Sequence, residues 1–221
     1  MDIEQARFNM VEQQIRTWNV LDQSVLDMLF TVKREEFVPA PYRSLAFVDM
    51  EIPIGEGQTM MSPKLEARII QELALRPQDN VLEIGTGSGY LSALLATRTA
   101  RVASIEIFQS LATSAATRLA AAGIDNVEIA VGDAAKSPAE YINWLQKLDV
   151  IVLTGSMPVM PAAYLNALTV GGRMFAVVGD APAMKAILFT KTSETHSTSQ
   201  ELFETVVTPL INAEQPSRFH F

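Results

Sequence analysis

The chain has no cysteine and only two histidines, His196 and His220, in 221 residues. Without cysteine it forms no disulfide, no thiolate metal site and no thiol nucleophile. With both histidines far along the chain, neither a histidine base nor a histidine-rich metal centre is expected, and no metal is assigned. Long apolar runs are missing too. None approaches the ~18 residues of a membrane-spanning helix, and Met1-Asp-Ile-Glu-Gln-Ala-Arg7 lacks the basic-then-apolar layout of a secretion signal. Nor is there a basic cluster: 17 Lys and Arg against 25 Asp and Glu give a net charge of -8, which argues against a nucleic-acid backbone as partner. These absences lead to the expectation of a soluble cytoplasmic protein with no nucleic-acid or membrane partner. The 48% hydrophobic content fits one compact domain.

What is present is a glycine turn. Asn80-Val-Leu-Glu-Ile-Gly-Thr-Gly-Ser-Gly-Tyr90 is a short apolar run that breaks into three alternating glycines and resumes as a helical pattern. Val81, Leu82 and Ile84 read as a buried parallel strand. Gly85, Gly87 and Gly89 allow a sharp turn and close approach of a ligand, and the helix from Tyr90 directs its free N–H groups back toward that turn.

The rest of the chain sets this turn in a repeating frame. Apolar residues at helical spacing (Ile3, Ala6, Met10, Val11, Ile15) and an apolar segment after Asp22 predict two N-terminal helices. Between Pro39 and Pro63 the breakers Pro41, Pro53, Gly55 and Gly57 predict an irregular segment. Ser62 then reads as the N-cap of a helix with Pro63 at its first position and Leu65, Ile69 and Leu73 on one face. Strands at 81–84, 101–107, 127–131, 149–153 and 172–178 alternate with helices at 89–98, 109–122, 138–146 and 160–168. Segments 183–190 and 201–208, flanking the polar stretch 191–200, predict a closing antiparallel hairpin. The fold class is α/β: a doubly wound, mostly parallel seven-stranded sheet with N-terminal helices. A single domain spans 1–221, with an elaboration over 1–60 and the α/β core over 61–221.

Acids at strand ends narrow the ligand. Glu106 ends the second strand about twenty residues beyond the first glycine, where an acid accepts hydrogen bonds from ribose hydroxyls. Asp133 follows the third strand, where an adenine amino group could be held. Glu83 precedes the turn. A dinucleotide would bring a pyrophosphate and usually the spacing Gly-x-Gly-x-x-Gly. S-adenosylmethionine carries an ammonium and a sulfonium instead, which suit carboxylates, and the reversed terminal strand also favours it. Each acid also has a plainer reading, Glu106 as a solvated strand end and Asp133 as a turn or cap residue.

Together these residues resemble the protein-L-isoaspartate (D-aspartate) O-methyltransferases over nearly the whole chain. The resemblance is carried by Met10-Val-Glu-Gln-Gln-Ile-Arg16, Arg34-Glu-Glu-Phe-Val-Pro39, Gly57-Gln-Thr59, Leu82-Glu-Ile-Gly-Thr-Gly-Ser-Gly-Tyr-Leu91, Leu168-Thr-Val-Gly-Gly-Arg173 and Val177-Val-Gly179. It implies a monomeric enzyme that uses S-adenosyl-L-methionine to esterify the abnormal carboxylate of isoaspartyl residues in a peptide or protein substrate. The ester then cyclises to a succinimide and partly returns to aspartate. It places the cofactor on Glu83, Gly85, Thr86, Gly87, Ser88, Gly89, Glu106, Ile107, Gly132, Asp133 and Ala134, and the acceptor at Thr59 and Ser62. Three departures stand out. Where the family usually shows Ile-Ser-Ala-Pro-His, this chain has Met60-Met61-Ser62-Pro63-Lys64, so Met61 occupies the serine position. Gly-Asp-Gly becomes Gly132-Asp133-Ala134, and the alanine-rich turn after the fourth strand becomes Thr154-Gly-Ser-Met-Pro158. A carboxylate acceptor, ionised at neutral pH, needs no general base, which agrees with the scarcity of histidine. Two alternatives stay open beside this one: a methyltransferase of the same fold with another acceptor, and a cofactor-binding protein without catalysis.

Overall fold

The computed structural model describes residues 2–145, 147–160 and 162–216, so His220 lies outside the described residues. Helix α1 (Ile3–Asn9) begins where the Asp2 carboxylate accepts the Gln5 N–H at 3.2 Å. It continues as a π-helical turn (Met10–Ile15) and a 3-10 turn (Arg16–Trp18) that ends at Asn19, with φ 59°. Asp22 caps α2 (Gln23–Thr31) as expected, accepting from Ser24 N at 2.9 Å. A short α3 (Arg34–Phe37) and a 3-10 turn (Ala40–Leu45) follow.

The segment expected to be irregular instead contains an antiparallel hairpin, β1 (Ile52–Gly55) with β2 (Gln58–Met60). Its breakers sit where a hairpin tolerates them. Pro53 is exposed on a two-stranded ribbon whose outer side needs no partner. Gly55 and Gly57, at φ 103° and 70°, form the turn around Glu56. Helix α4 (Pro63–Leu73) then starts at Ser62, whose carbonyl accepts from Leu65 N and Glu66 N. The Ser62 side chain makes no capping bond, contrary to the expectation for a serine before proline.

From there β3 (Asn80–Ile84), α5 (Tyr90–Ala96), β4 (Arg101–Glu106), α6 (Gln109–Ala121), β5 (Val127–Val131), α7 (Pro138–Ile142), β6 (Leu148–Met157), α8 (Ala162–Ala167), β7 (Leu168–Val178), β8 (Lys185–Ser193) and β9 (His196–Glu204) follow in turn. The sheet order is β5-β4-β3-β6-β7-β8-β9, with β8 antiparallel to both its neighbours and the other pairings parallel. The doubly wound seven-stranded sheet expected from the sequence is therefore the fold.

Several boundaries differ from expectation: α7 stops at Ile142 and not at 146, β9 ends at Glu204 and not at 208, and three strands change as follows. Strand β7 begins at Leu168, because Leu168 pairs with Leu148 before a register shift at Gly171–Gly172; the two glycines interrupt the strand instead of preceding it. Strand β6 runs on past Leu153 to Met157 through a second shift between Val152 and Ser156. The polar stretch 191–200 is mostly strand: Lys191 pairs with Ser197 and Ser193 with His196, leaving a tight turn at 194–195. Alternating threonine and serine suit a solvated hairpin as well as a loop.

Strand alternation divides the core between the two sheet faces. Val81, Val102, Val150, Val152, Phe175 and Val177 join the N-terminal helices, α4 and α5 in one cluster. Leu82, Ile84, Ala103, Ile105, Ile151, Leu153 and Met174 join residues of α7 and α8 in the other.

Candidate active site

The glycine turn leaves β3 with Gly85 N still in the sheet ladder, bonded to Ile105 O at 2.8 Å. Gly85 has φ 97°, and a Cβ there would lie 2.1 Å from Thr154 Oγ1. Glycine is needed at that position to admit Thr154 as much as to admit a ligand. Thr154 lies within the register shift of β6 between Val152 and Ser156, just beyond Leu153, which pairs with Ile84 of β3. Its hydroxyl lies 2.9 Å from Ile84 O and 2.8 Å from Gly85 O, fixing the turn from the side. Gly89, at φ 84°, caps α5, and a Cβ there would meet Ala115 of α6 at 3.1 Å.

Around this turn lies the main cavity. Its lining includes Gly85, Gly87, Glu106, Ile107, Phe108, Leu111, Gly132, Asp133, Ala134 and Thr154, with Glu51, Ile54, Gln58, Thr59 and Met61 from the N-terminal part and residues 207–211 from beyond β9. Glu106 is buried, and its two oxygens accept backbone N–H groups from Gly87 (2.8 Å) and Phe108 (3.1 Å). Asp133 accepts from Lys136 N at 3.0 Å and from the Asn212 side-chain amide. Gly132 is glycine because the Tyr141 hydroxyl occupies the place of a Cβ, 1.6 Å away. Ala134 is buried, its carbonyl bonded to Tyr164 Oη at 2.7 Å. Residues 207–211 are held across the rim by Ser156, whose N–H donates to Thr208 O (3.1 Å) and whose carbonyl accepts Leu210 N (2.9 Å).

A smaller chamber continues behind the turn. It is lined by Thr59, Met60, Met61, Glu66, Gly85, Thr86, Gly87, Ser88, Leu91 and Thr154, and shares Thr59, Met61, Gly85, Gly87 and Thr154 with the main cavity. Of the residues expected at the site, the structure brings Thr59, Gly85, Thr86, Gly87, Ser88, Glu106, Ile107, Gly132, Asp133 and Ala134 to one or both chambers. It does not bring Glu83, Gly89 or Ser62 to either. Ser62 opens on a separate groove with Trp18, Lys64, Arg68 and Phe203. Met61 faces both chambers, and Thr59 donates its hydroxyl to Glu51 at 2.8 Å.

Glu83 is fully buried behind the turn, one carboxylate oxygen accepting from Ser92 and from Ser104 (2.6 Å) and the other unpartnered. Burial pushes its carboxyl up to about 7, against the two serine hydroxyls and reinforced by Glu106. Glu66 is 2% exposed and paired with Arg34, itself 1% exposed. Burial raises the Glu66 carboxyl to about 7 in spite of Arg34. Arg34 also donates to Ala46 O (2.9 Å) and Met61 O (2.7 Å) and stacks 5.0 Å over the Tyr90 ring. Sequence reasoning missed this cluster, and also Ile54, Leu111, Thr154 and Leu210. A signal existed for Glu66, which stands three, four and seven residues before the buried Ile69, Ile70 and Leu73.

A glycine turn after the first parallel strand, acids after the second and third, and a reversed strand beside the last parallel one define a class I S-adenosylmethionine-dependent methyltransferase. The profile of the family "Protein-L-isoaspartate(D-aspartate) O-methyltransferase (PCMT)" matches residues 5–215. The chain is 37% identical over 221 residues to a protein-L-isoaspartate O-methyltransferase of Roseiflexus castenholzii, covering 100% of this chain and 99% of that one. It is 41% identical over 174 residues to one of Methanoculleus marisnigri, covering 78% and 77%. A Plasmodium falciparum crystal structure, named for the same methyltransferase and in complex with S-adenosyl-L-homocysteine, shares the fold at a TM-score of 0.80 and 19% identity, over 92% of this chain and 97% of that one. The chain belongs to the protein-L-isoaspartate(D-aspartate) O-methyltransferase family.

Proposed function

We propose that this chain acts in the cytoplasm as a monomer, transferring a methyl group from S-adenosyl-L-methionine to the side-chain carboxylate of L-isoaspartyl and D-aspartyl residues in damaged proteins. The observation that carries the reading is a pair of adjoining cavities at the glycine turn, with Thr59, Met61, Gly85, Gly87 and Thr154 in both linings, whose ionisable lining residues are Glu51, Glu66, Glu106 and Asp133. Acids of this kind suit a cofactor that is a cation. No lining residue of either chamber is histidine, lysine or arginine, which suits an acceptor that needs no proton removed. Among the described residues no helix is long and apolar enough to cross a membrane.

The residues fit the cofactor. Each Glu106 oxygen has given one lone pair to a backbone N–H and keeps another, so the carboxylate is oriented yet still able to accept from two ribose hydroxyls. Ile107, Phe108 and Leu111 offer an apolar wall for the adenine, with Asp133 at its edge. The bound cofactor supplies an electrophilic methyl group on a sulfonium. The protein's part is to aim the acceptor and keep water away. Met61 and Ile54 provide apolar cover, and the Thr59 hydroxyl, now on Glu51, is the side-chain donor best placed to turn toward an incoming carboxylate.

The test is transfer of radiolabelled methyl from the cofactor to an isoaspartyl peptide, followed by mild base. A carboxyl methyl ester releases the label as methanol. Label that survives base would show transfer to another kind of acceptor and would refute the reading.

A further inference from the structure

We propose that Glu66 receives the α-ammonium group of the cofactor's amino-acid tail, in the small chamber behind the glycine turn. This rests on the cofactor reading above and assigns a residue to it. Glu106, Asp133 and the apolar wall commit the main cavity to the adenosine end, so the tail must pass Gly85 and Gly87 into the space beyond. That space has one ionisable residue in its lining, Glu66.

The carboxylate is prepared for such a partner. Arg34 holds it through Oε2, Oε1 accepts no hydrogen bond among the described residues, and the residue lines the chamber. The guanidinium is otherwise committed to the Ala46 and Met61 carbonyls, so it orients Glu66 without being a free cation in the chamber. Charge behind the turn is also unbalanced. Glu66 and Glu83 are both buried, the Arg34 guanidinium pairs with Glu66, and one Glu83 oxygen has no partner among the described residues. A cation arriving in the chamber supplies what the protein leaves out, in surroundings where an ion pair is strong.

Calorimetric binding of three compounds decides the matter: S-adenosylhomocysteine, its desamino analogue, which keeps the tail carboxylate, and 5′-methylthioadenosine, which lacks the tail. The wild type should lose about 10- to 100-fold in affinity from the first compound to the second, the worth of a charged hydrogen bond. In Glu66→Gln that loss should shrink to about threefold or less, with 5′-methylthioadenosine binding both proteins alike. If Glu66→Gln does not fold, the double variant R34M/E66M, which replaces the buried pair with apolar volume, should show the same lost discrimination. Equal weakening of all three compounds would mark Glu66 as structural and overturn the assignment. So would an ammonium preference undiminished in the variants. If neither S-adenosylhomocysteine nor 5′-methylthioadenosine binds the wild type, the cofactor reading falls and the assignment with it.

Discussion

Glu83 and Glu106 lie on neighbouring strands of the same sheet and do opposite work. Glu106 faces the cavity with both oxygens steered by backbone N–H groups. Removing its carboxylate in Glu106→Ala leaves those donors unsatisfied and deletes the ribose acceptor, so S-adenosylhomocysteine should bind at least about tenfold more weakly by calorimetry. Glu83 faces no chamber and is held by Ser92 and Ser104. Because burial raises its folded-state pKa from 4.5 to about 7, it contributes stability that is fully present below about 4.5 and lost as pH climbs toward 7. Glu83→Gln does not titrate. Its melting temperature should therefore gain on the wild type between pH 4.5 and 7 and keep that lead, without widening, above about pH 7. An equal gap at pH 4.5 and pH 8 would mean that Glu83 is not the group concerned.

Among the elements, the bulge in β6 and the glycine turn after β3 form one device, since Thr154 fills the space a Gly85 side chain would need. Gly85→Ala should destabilise the fold by roughly 2 kcal/mol or more, from contact with Thr154 and a φ of 97°. Adding Thr154→Ala should recover part of that loss, because it removes the contact but not the φ strain; chemical denaturation of the two single variants and the double gives the coupling. This device also shows where sequence reading stops. The parallel strands were legible because Val81–Ile84, Val102–Ile105 and Val150–Leu153 are apolar on both faces, and the glycines and strand-end acids fell at a diagnostic spacing. The bulge was not legible, because a register shift depends on which strand lies beside which. Hairpin β1–β2 was hidden by Pro53, Gly55 and Gly57, which mark a turn without saying that its arms pair. The pairing of Arg34 with Glu66 was not legible, since nothing local tells that two helices bury them against each other. Residues 205–208 were taken as strand, whereas β9 ends at Glu204 and the contact of residues 207–211 with Ser156 depends on the finished sheet.

At the scale of the molecule, the N-terminal residues are part of the main core. Ile15, Leu26, Leu29 and Phe37 share one cluster with Val81, Val102 and Phe175, and each such side chain buried contributes about 1.5–3 kcal/mol. Residues 61–221 alone should consequently fail to give a stable monomer, seen as aggregation on gel filtration and loss of a cooperative melt. A soluble, cooperatively melting fragment would show that residues 1–60 are an appendage. The same N-terminal part supplies Glu51, Ile54, Thr59 and Met61 to the cavity, so fold and site are joined there. Met61, at the position where the resemblance leads one to expect serine, lies at this junction and lines both chambers. The measurement that tests the whole account is the rate of methyl transfer from S-adenosyl-L-methionine to an isoaspartyl peptide beside its matched aspartyl peptide. The account predicts base-labile labelling of the first and none above background on the second. S-adenosylhomocysteine bound at the cavity with neither peptide labelled would contradict it.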